Sequence, residues 1–235
     1  MTIAVNQPYV FPYIGYFQLI HASTKFVFLE DVSFIKKGWI NRNRILDTNG
    51  NDSLFTIPLA NVSQNRTILD HYLHETFPVW KDNFYKTLHT IYAKAPFYEI
   101  TLNMMKHILD QAKPGDSIAK LAETSIKFLS PYLGIWPDFI NSSTYGNHNL
   151  RKEHRLIDIC KKEYDGTYIN AVGGQSLYTK ESFKAQGINL FFIKPELLPY
   201  KQFENAFVPG LSIIDALMFC EPQTLHKLVS AYTLV

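Results

Sequence analysis

With 235 residues, 46% of them hydrophobic and 19% charged, the chain has the apolar material for a sizeable core and the composition of an ordinary globular protein. A formal charge of +2 is too small to argue for nucleic acid or an anionic membrane as a partner. No basic-then-apolar leader opens the chain, no run approaches the ~20 apolar residues that span a bilayer, and Cys160 and Cys220 stand in apolar contexts typical of buried thiols. The expectation is a cytoplasmic protein without membrane insertion.

Thr2–Asn6 is a short apolar run broken by Pro8, which predicts a buried strand and then a loop. Tyr16–Ala22 suits a short helix, and Lys25–Glu30 a second strand buried on both faces. A strand, a short crossover and another strand predict a βαβ unit and hence a parallel sheet. Asn49-Gly50 between Trp39–Leu46 and Leu54–Leu59 is a hairpin signal. Three helices follow, Pro78–Ala95, Tyr98–Gln111 and Ile118–Leu133, the last capped by Asp116 or Ser117. The remaining chain alternates: strand Asp138–Asn141, helix Lys152–Tyr164, strand Thr167–Ala171, helix Lys180–Gln186 stopped by Gly187, and a last strand Asn189–Ile193. Leu211–Cys220 and Pro222–Tyr232 read as closing helices. The pattern predicts one α/β domain over 1–235, with a mainly parallel sheet, a β-hairpin excursion and a helical insertion at 78–133.

Ligands of open α/β sheets bind beyond the C-terminal ends of the strands, and the polar motifs of this chain fall there. The segment Gln7-Pro8-Tyr9 through Tyr16 follows the first strand, and Glu30-Asp31 the second. Ser142-Ser143 follows the third, and Gly173-Gly174 with Tyr178 the fourth. In Trp39-Ile40-Asn41-Arg42-Asn43-Arg44-Ile45, an extended backbone puts Arg42 and Arg44 on one face and Asn41 and Asn43 on the other. Two guanidiniums side by side suit phosphate or carboxylate, although a ladder of salt bridges to Asp31 or Asp47 would use the same residues. Gly173-Gly174 lets a ligand approach backbone amides or simply makes a tight turn, and Ser142-Ser143 either meets an anion or caps a helix. His21 and Asp31 are the candidate acid–base groups, with a satisfied helical histidine as the plainer reading of His21. Asp215, in an apolar helix, must pair or face a pocket, and a clamp on Arg42 or Arg44 is one way to pair. His71 and His74 lack the partner cluster a zinc site needs, so no metal is expected.

The Gln7–Phe17 and Trp39–Ile45 blocks resemble the opening of the WbqC-like family. The likeness extends through Tyr92–Tyr98, Ser142-Ser143, Tyr168–Asn170, Gly173–Tyr178 and Phe207–Asp215, nearly the whole chain. Thr24 departs from the family pattern, where an aspartate is usual, and Glu30-Asp31 stands where relatives often have two aspartates. The resemblance implies a step in making or decorating an amino or deoxy sugar for bacterial surface polysaccharide, with a transferase or an amide-forming ligase as the reaction class. A second likeness, of the Pro12–Tyr16 turn to the opening of nucleotidylyltransferases, implies a Rossmann-like fold. Tyr16 and Pro12 or Tyr13 replace the two histidines of those enzymes, so their adenylylation chemistry is not implied.

The combined expectation is a small phosphorylated or sugar-nucleotide substrate. Arg42 and Arg44 would hold its anionic part, and Gln7, Asn41 and Asn43 would read polar groups. Tyr9, Tyr16 or Trp39 would stack on it. The rival is a non-catalytic module that binds a nucleotide or glycan within a biosynthetic complex. A homo-oligomer is compatible with either, and neither names a cofactor.

Overall fold

A computed structural model describes residues 1–163, 166–204 and 206–235. Its centre is a six-stranded sheet ordered β10-β9-β8-β1-β2-β7. The strands are β1 (Ile3–Asn6), β2 (Lys25–Phe28), β7 (Asp138–Asn141), β8 (Thr167–Ala171), β9 (Asn189–Pro195) and β10 (Tyr232–Leu234). Between β2 and β7 lie two small antiparallel ladders, β3 (Arg42–Leu46) with β4 (Asp52–Thr56), and β5 (Leu59–Ala60) with β6 (Tyr72–Leu73). The helices are α1 (Ile14–His21), α2 (Phe77–Tyr92), α3 (Tyr98–Leu109), α4 (Ile118–Tyr132), α5 (Lys152–Lys162), α6 (Lys180–Lys184), α7 (Ile213–Phe219) and α8 (Pro222–Ser230).

The fold is mixed α/β with a mostly parallel sheet, as the strand–helix alternation predicts. The chain lays β1, then β2 and β7 outward on one side. It then returns across β1 to lay β8 and β9 on the other. The order therefore reverses between β1 and β8, and crossovers leave that point in opposite directions, which opens a crevice at the C-terminal strand ends.

Alternation along the strands feeds two cores. Ala4, Phe26, Phe28 and Ile169 point to one face, under α1, α4, α7 and α8. Ile3, Val5, Val27 and Tyr168 point to the other, under Leu156, Ile159 and Cys160 of α5 and Phe183 of α6. The apolar faces of α2, α3 and α4 join the first core. Thr101 Oγ1 of α3 donates to Leu217 O of α7 at 2.9 Å, so the helical insertion is tied to the sheet's own helices. No helix among the described residues is long and apolar enough to cross a membrane.

The C-terminal end differs most from expectation. The segment read as the end of a helix through Tyr232 stops at Ser230, and Tyr232–Leu234 turn back as β10, antiparallel to β9. The β-branched and aromatic residues after Ala231 favour an extended edge once packing is available. Asn189–Ile193 is thus the second-last strand, not the last. The helix expected through Tyr164 is α5, and Tyr164 lies outside the described residues. The hairpin turn is built as expected: Gly50 takes φ 80°, and Asp47 Oδ1 accepts from the N–H groups of Asn49 and Asn51.

Candidate functional site

The loop that leaves β1 is fixed from several sides. Val10 N–H donates to Ile40 O at 3.0 Å. Phe11, fully buried, adopts φ 47°, a left-handed conformation unfavourable for a bulky residue. Its N–H donates to Ser125 Oγ of α4 at 3.3 Å. Its carbonyl accepts from Asn43 Nδ2 at 2.8 Å and from Ser212 Oγ at 2.7 Å. Ile213 N–H donates to Pro12 O at 2.9 Å. The hairpin, α4 and the start of α7 thereby hold one turn in a shape it would not take alone.

That turn forms a wall of a cavity of about 640 Å³ at the β1/β8 reversal. Asn6 at the end of β1 and Ala171, Val172 and Gly173 at the end of β8 line its floor. Tyr9, Tyr13 and Tyr16 stand on one side, Trp39 and Arg44 on another, and Pro209-Gly210 on a third. Tyr9 and Tyr16 rings lie 5.4 Å apart, and Tyr16 Oη donates to Gln7 O at 2.8 Å. Burial pushes all three phenols up, most strongly Tyr16, whose neighbours Tyr9 and Glu123 add to the effect. They are neutral hydrogen-bonding rings, not bases. Among the described residues, Arg44 is the only charged side chain in the lining. Its guanidinium lies 5.7 Å from the Trp39 ring centre, donates to Gly210 O at 3.3 Å and pairs with Asp52 at 3.2 Å. Its Nε is buried without a partner. At Gly173 an added Cβ would meet nothing within 4 Å, so the backbone there opens to the cavity.

A model of the WbqC-like protein family matches residues 7–227. The chain belongs to the WbqC-like family. It is 27% identical over 220 residues, 92% of each chain, to "Uncharacterized protein Rv1507c" of Mycobacterium tuberculosis (strain ATCC 25618 / H37Rv). No solved structure matches it. Four of the blocks that carry the family likeness meet at the cavity, through Tyr9 and Tyr16, Trp39 and Arg44, Gly173, and Pro209-Gly210.

Other candidate residues of this WbqC-like chain sit elsewhere or, like Asn43 in the cavity lining, are spent on structure. Arg42 faces the same way as Arg44 but is spent on the turn before it, with Nε donating to Gly38 O at 2.8 Å and a further contact to Lys37 O. Asn41 donates to Ile57 O, and Asn43 pins Phe11. Neither arginine pairs with Asp31, Asp47 or Asp215. Asp31 instead holds Arg155, both oxygens 2.6 Å from one guanidinium nitrogen, in a buried ion pair continued by Arg155 Nε to Asn147 Oδ1. Ser142 and Ser143 cap Glu30, fully buried, whose carboxylate accepts from Ser142 N–H, Ser142 Oγ and Ser143 N–H at 2.9 to 3.1 Å. Ser142 Oγ also meets Asp31.

Gly174 packs under Asn170, where an added Cβ would come within 2.4 Å of Nδ2, and Tyr178 leans on Phe183 in the second core. Asp215 is buried without a cation: Tyr92 Oη, Tyr200 Oη and Gln202 Nε2 donate to it at 2.6 to 2.8 Å. Burial raises its pKa against those three bonds. His21 ends α1, which starts beside the cavity and runs back for about 12 Å toward the opposite sheet edge. There its Nδ1 meets Tyr232 Oη at 3.1 Å, and it faces His226 with ring centres 6.0 Å apart. His71 is stacked on Phe34 and bonded to Thr67 O and Ser63 N–H, while His74 pairs with Thr76. Among the described residues no group of three His, Cys, Asp or Glu is placed to hold a metal.

Asn6, Tyr13, Pro209 and Gly210 line the cavity and were not among the sequence candidates. The Pro-Gly pair was the available signal, since a turn after an apolar run brings backbone close to whatever fills the adjoining space.

Proposed function

We propose that this cavity binds the nucleotide-phosphate part of a sugar nucleotide, and that the protein is a transferase or amide-forming ligase acting on an amino or deoxy sugar for bacterial surface polysaccharide. One observation carries the reading: an aromatic-walled cavity of about 640 Å³ at the strand-order reversal, with one guanidinium and no carboxylate in its lining among the described residues. Such a cavity suits a flat base or sugar face against Tyr9, Trp39 and Tyr16, with an anion at Arg44. The partly exposed end of the Arg44 guanidinium and the open backbone at Gly173 are where phosphate oxygens would find donors. The reversal between β1 and β8, with crossovers on both faces, supports a Rossmann-like sheet used as such sheets use that crevice. A cytoplasmic location fits a nucleotide-linked substrate and two buried free cysteines.

The test is thermal stabilisation by UDP-, dTDP- and GDP-linked sugars. At least one should raise the melting temperature, Arg44→Ala should abolish the rise, and Arg42→Ala should largely keep it. A rise unchanged in Arg44→Ala would remove the cavity from the account. Tight binding without turnover with any acyl, aminoacyl or nucleotidyl donor would favour the non-catalytic reading of the same site.

A further inference from the structure

One row of the sheet makes the floor of the cavity. Ala171 and Ile193 are register partners across β8 and β9, and Asn6 stands two residues beyond the Ala4–Ile169 pair that aligns β1 with β8. By alternation Asn6 and Ala171 project to the same face as Ala4 and Ile169, the face that α1 covers. Asn6 is therefore the polar member of an otherwise apolar row in the lining. Its Oδ1 is committed, accepting from Gln7 N–H at 2.9 Å, which fixes the plane of the amide. Its Nδ2 has no partner among the described residues and keeps two protons to donate.

The other polar groups of the lining share that bias. Trp39 and Arg44 can only donate. Asn43 is spent at both ends, Nδ2 on Phe11 O and Oδ1 on Arg44 N–H. Carbonyls that border the space are occupied as well. Asn6 O accepts from Leu29 N–H, Pro12 O from Ile213 N–H, Tyr13 O from Tyr16 N–H, and Gly210 O from Arg44. Among the described residues the lining holds no carboxylate and no imidazole, which leaves the neutral phenol oxygens as its side-chain acceptors. The cavity is rich in donors and poor in acceptors.

We propose that the site selects a pyrimidinedione nucleotide, with Asn6 Nδ2 donating to the O4 carbonyl of a uracil or thymine base. This rests on the nucleotide reading of the cavity and narrows it to uridine- or thymidine-linked sugars. Uracil and thymine present two carbonyl acceptors and one N–H, which matches a lining of donors with a phenol oxygen to spare. Guanine would bring an N–H and an amino group, and adenine and cytosine an amino group, to a surface that cannot accept them. A donor buried without a partner is costly. With the phosphates at Arg44 on the wall, the edge of the base that reaches the floor is the one farthest from the ribose. In uracil that edge carries O4, and in cytosine an amino group. Asn6 Nδ2 meets an acceptor in the first and a second donor in the other.

The experiment is calorimetric titration of the full chain with UDP, dTDP, CDP and GDP. UDP and dTDP should bind roughly tenfold or more tightly than CDP and GDP, the effect of one mispaired buried hydrogen bond. Asn6→Asp keeps the acceptor for Gln7 N–H and replaces the free donor by an oxygen, so the order of UDP and CDP should invert. The ratio is the readout, because the added charge weakens every anionic ligand. Asn6→Ala should bring UDP and CDP to equal affinity, with a cooperative thermal transition as the sign of a folded protein. Arg44→Ala should weaken all four alike. If the four nucleotides bind wild type equally, or the preference for UDP survives either Asn6 substitution, base selection at Asn6 is refuted and the nucleotide cavity stands. If no nucleotide binds wild type, both fall.

Discussion

Two clusters at the same edge of the sheet are built from the same kinds of residue and end in opposite conditions. At the ends of β2 and β7, Glu30, Asp31, Ser142 and Arg155 satisfy one another: three donors meet one carboxylate, and a guanidinium meets the other. At the ends of β1 and β8, Arg44 keeps a buried Nε without a partner, and Gly173 leaves its backbone open to a cavity. The first is a closed knot, and removing any strand of it leaves a buried charge. The second has capacity left over. Residue type alone does not separate the two, because an Asp beside a Ser reads the same whether an arginine 124 positions away neutralises it or not. Saturation is the distinguishing quantity, and a site needs the unsaturated cluster.

The largest expected effect breaks the closed knot. Arg155→Ala leaves Asp31 buried and unpaired, and should cost about 3–5 kcal/mol of unfolding free energy, read from urea denaturation. A loss under about 1 kcal/mol would mean the pair is solvated and the knot is not closed. A smaller effect sharpens the other side. Asn43→Ala removes one of the two donors to Phe11 O, and should cost about 1–2 kcal/mol while also weakening nucleotide binding, since the strained turn forms a wall of the cavity. Stability lost without any change in binding would separate the turn from the site.

The smallest effect concerns the opposite sheet edge. Burial first, and then His226, hold the His21 pKa below its ordinary value of 6.5. Folded His21 therefore binds fewer protons than the unfolded chain just below that value, so stability falls as pH drops through the window between 6.5 and its lowered pKa. His21→Asn should flatten the slope between about pH 7 and pH 5 without altering nucleotide binding at neutral pH. A binding defect at neutral pH would return His21 to the site.

The parallel strands were legible because β1, β2 and β8 are short apolar runs broken by Asn6-Gln7-Pro8, by Glu30-Asp31 and by Gly173-Gly174, and their polar sequels fall at one edge by topology. β5, β6 and β10 were not, being two or three residues long with no period to read. His21 was misleading for a directional reason: closeness along the chain to the Gln7–Tyr16 loop says nothing of which end of α1 stays near it. Arg42 and Arg44 share a face as alternation requires, yet only Arg44 reaches the cavity, because Arg42 folds back on the Lys37-Gly38 carbonyls.

The most direct test of the central claim is a nitrogen–proton NMR titration of the chain with a stabilising sugar nucleotide. The account predicts that the Trp39 indole and the backbone amides of Gly15, Gly173 and Gly210 shift first and most, while those of Ser142 and Ser143 and the ring signals of His21 shift little. Leading shifts at Ser142-Ser143 or His21, with Trp39 and Gly173 unmoved, would contradict it.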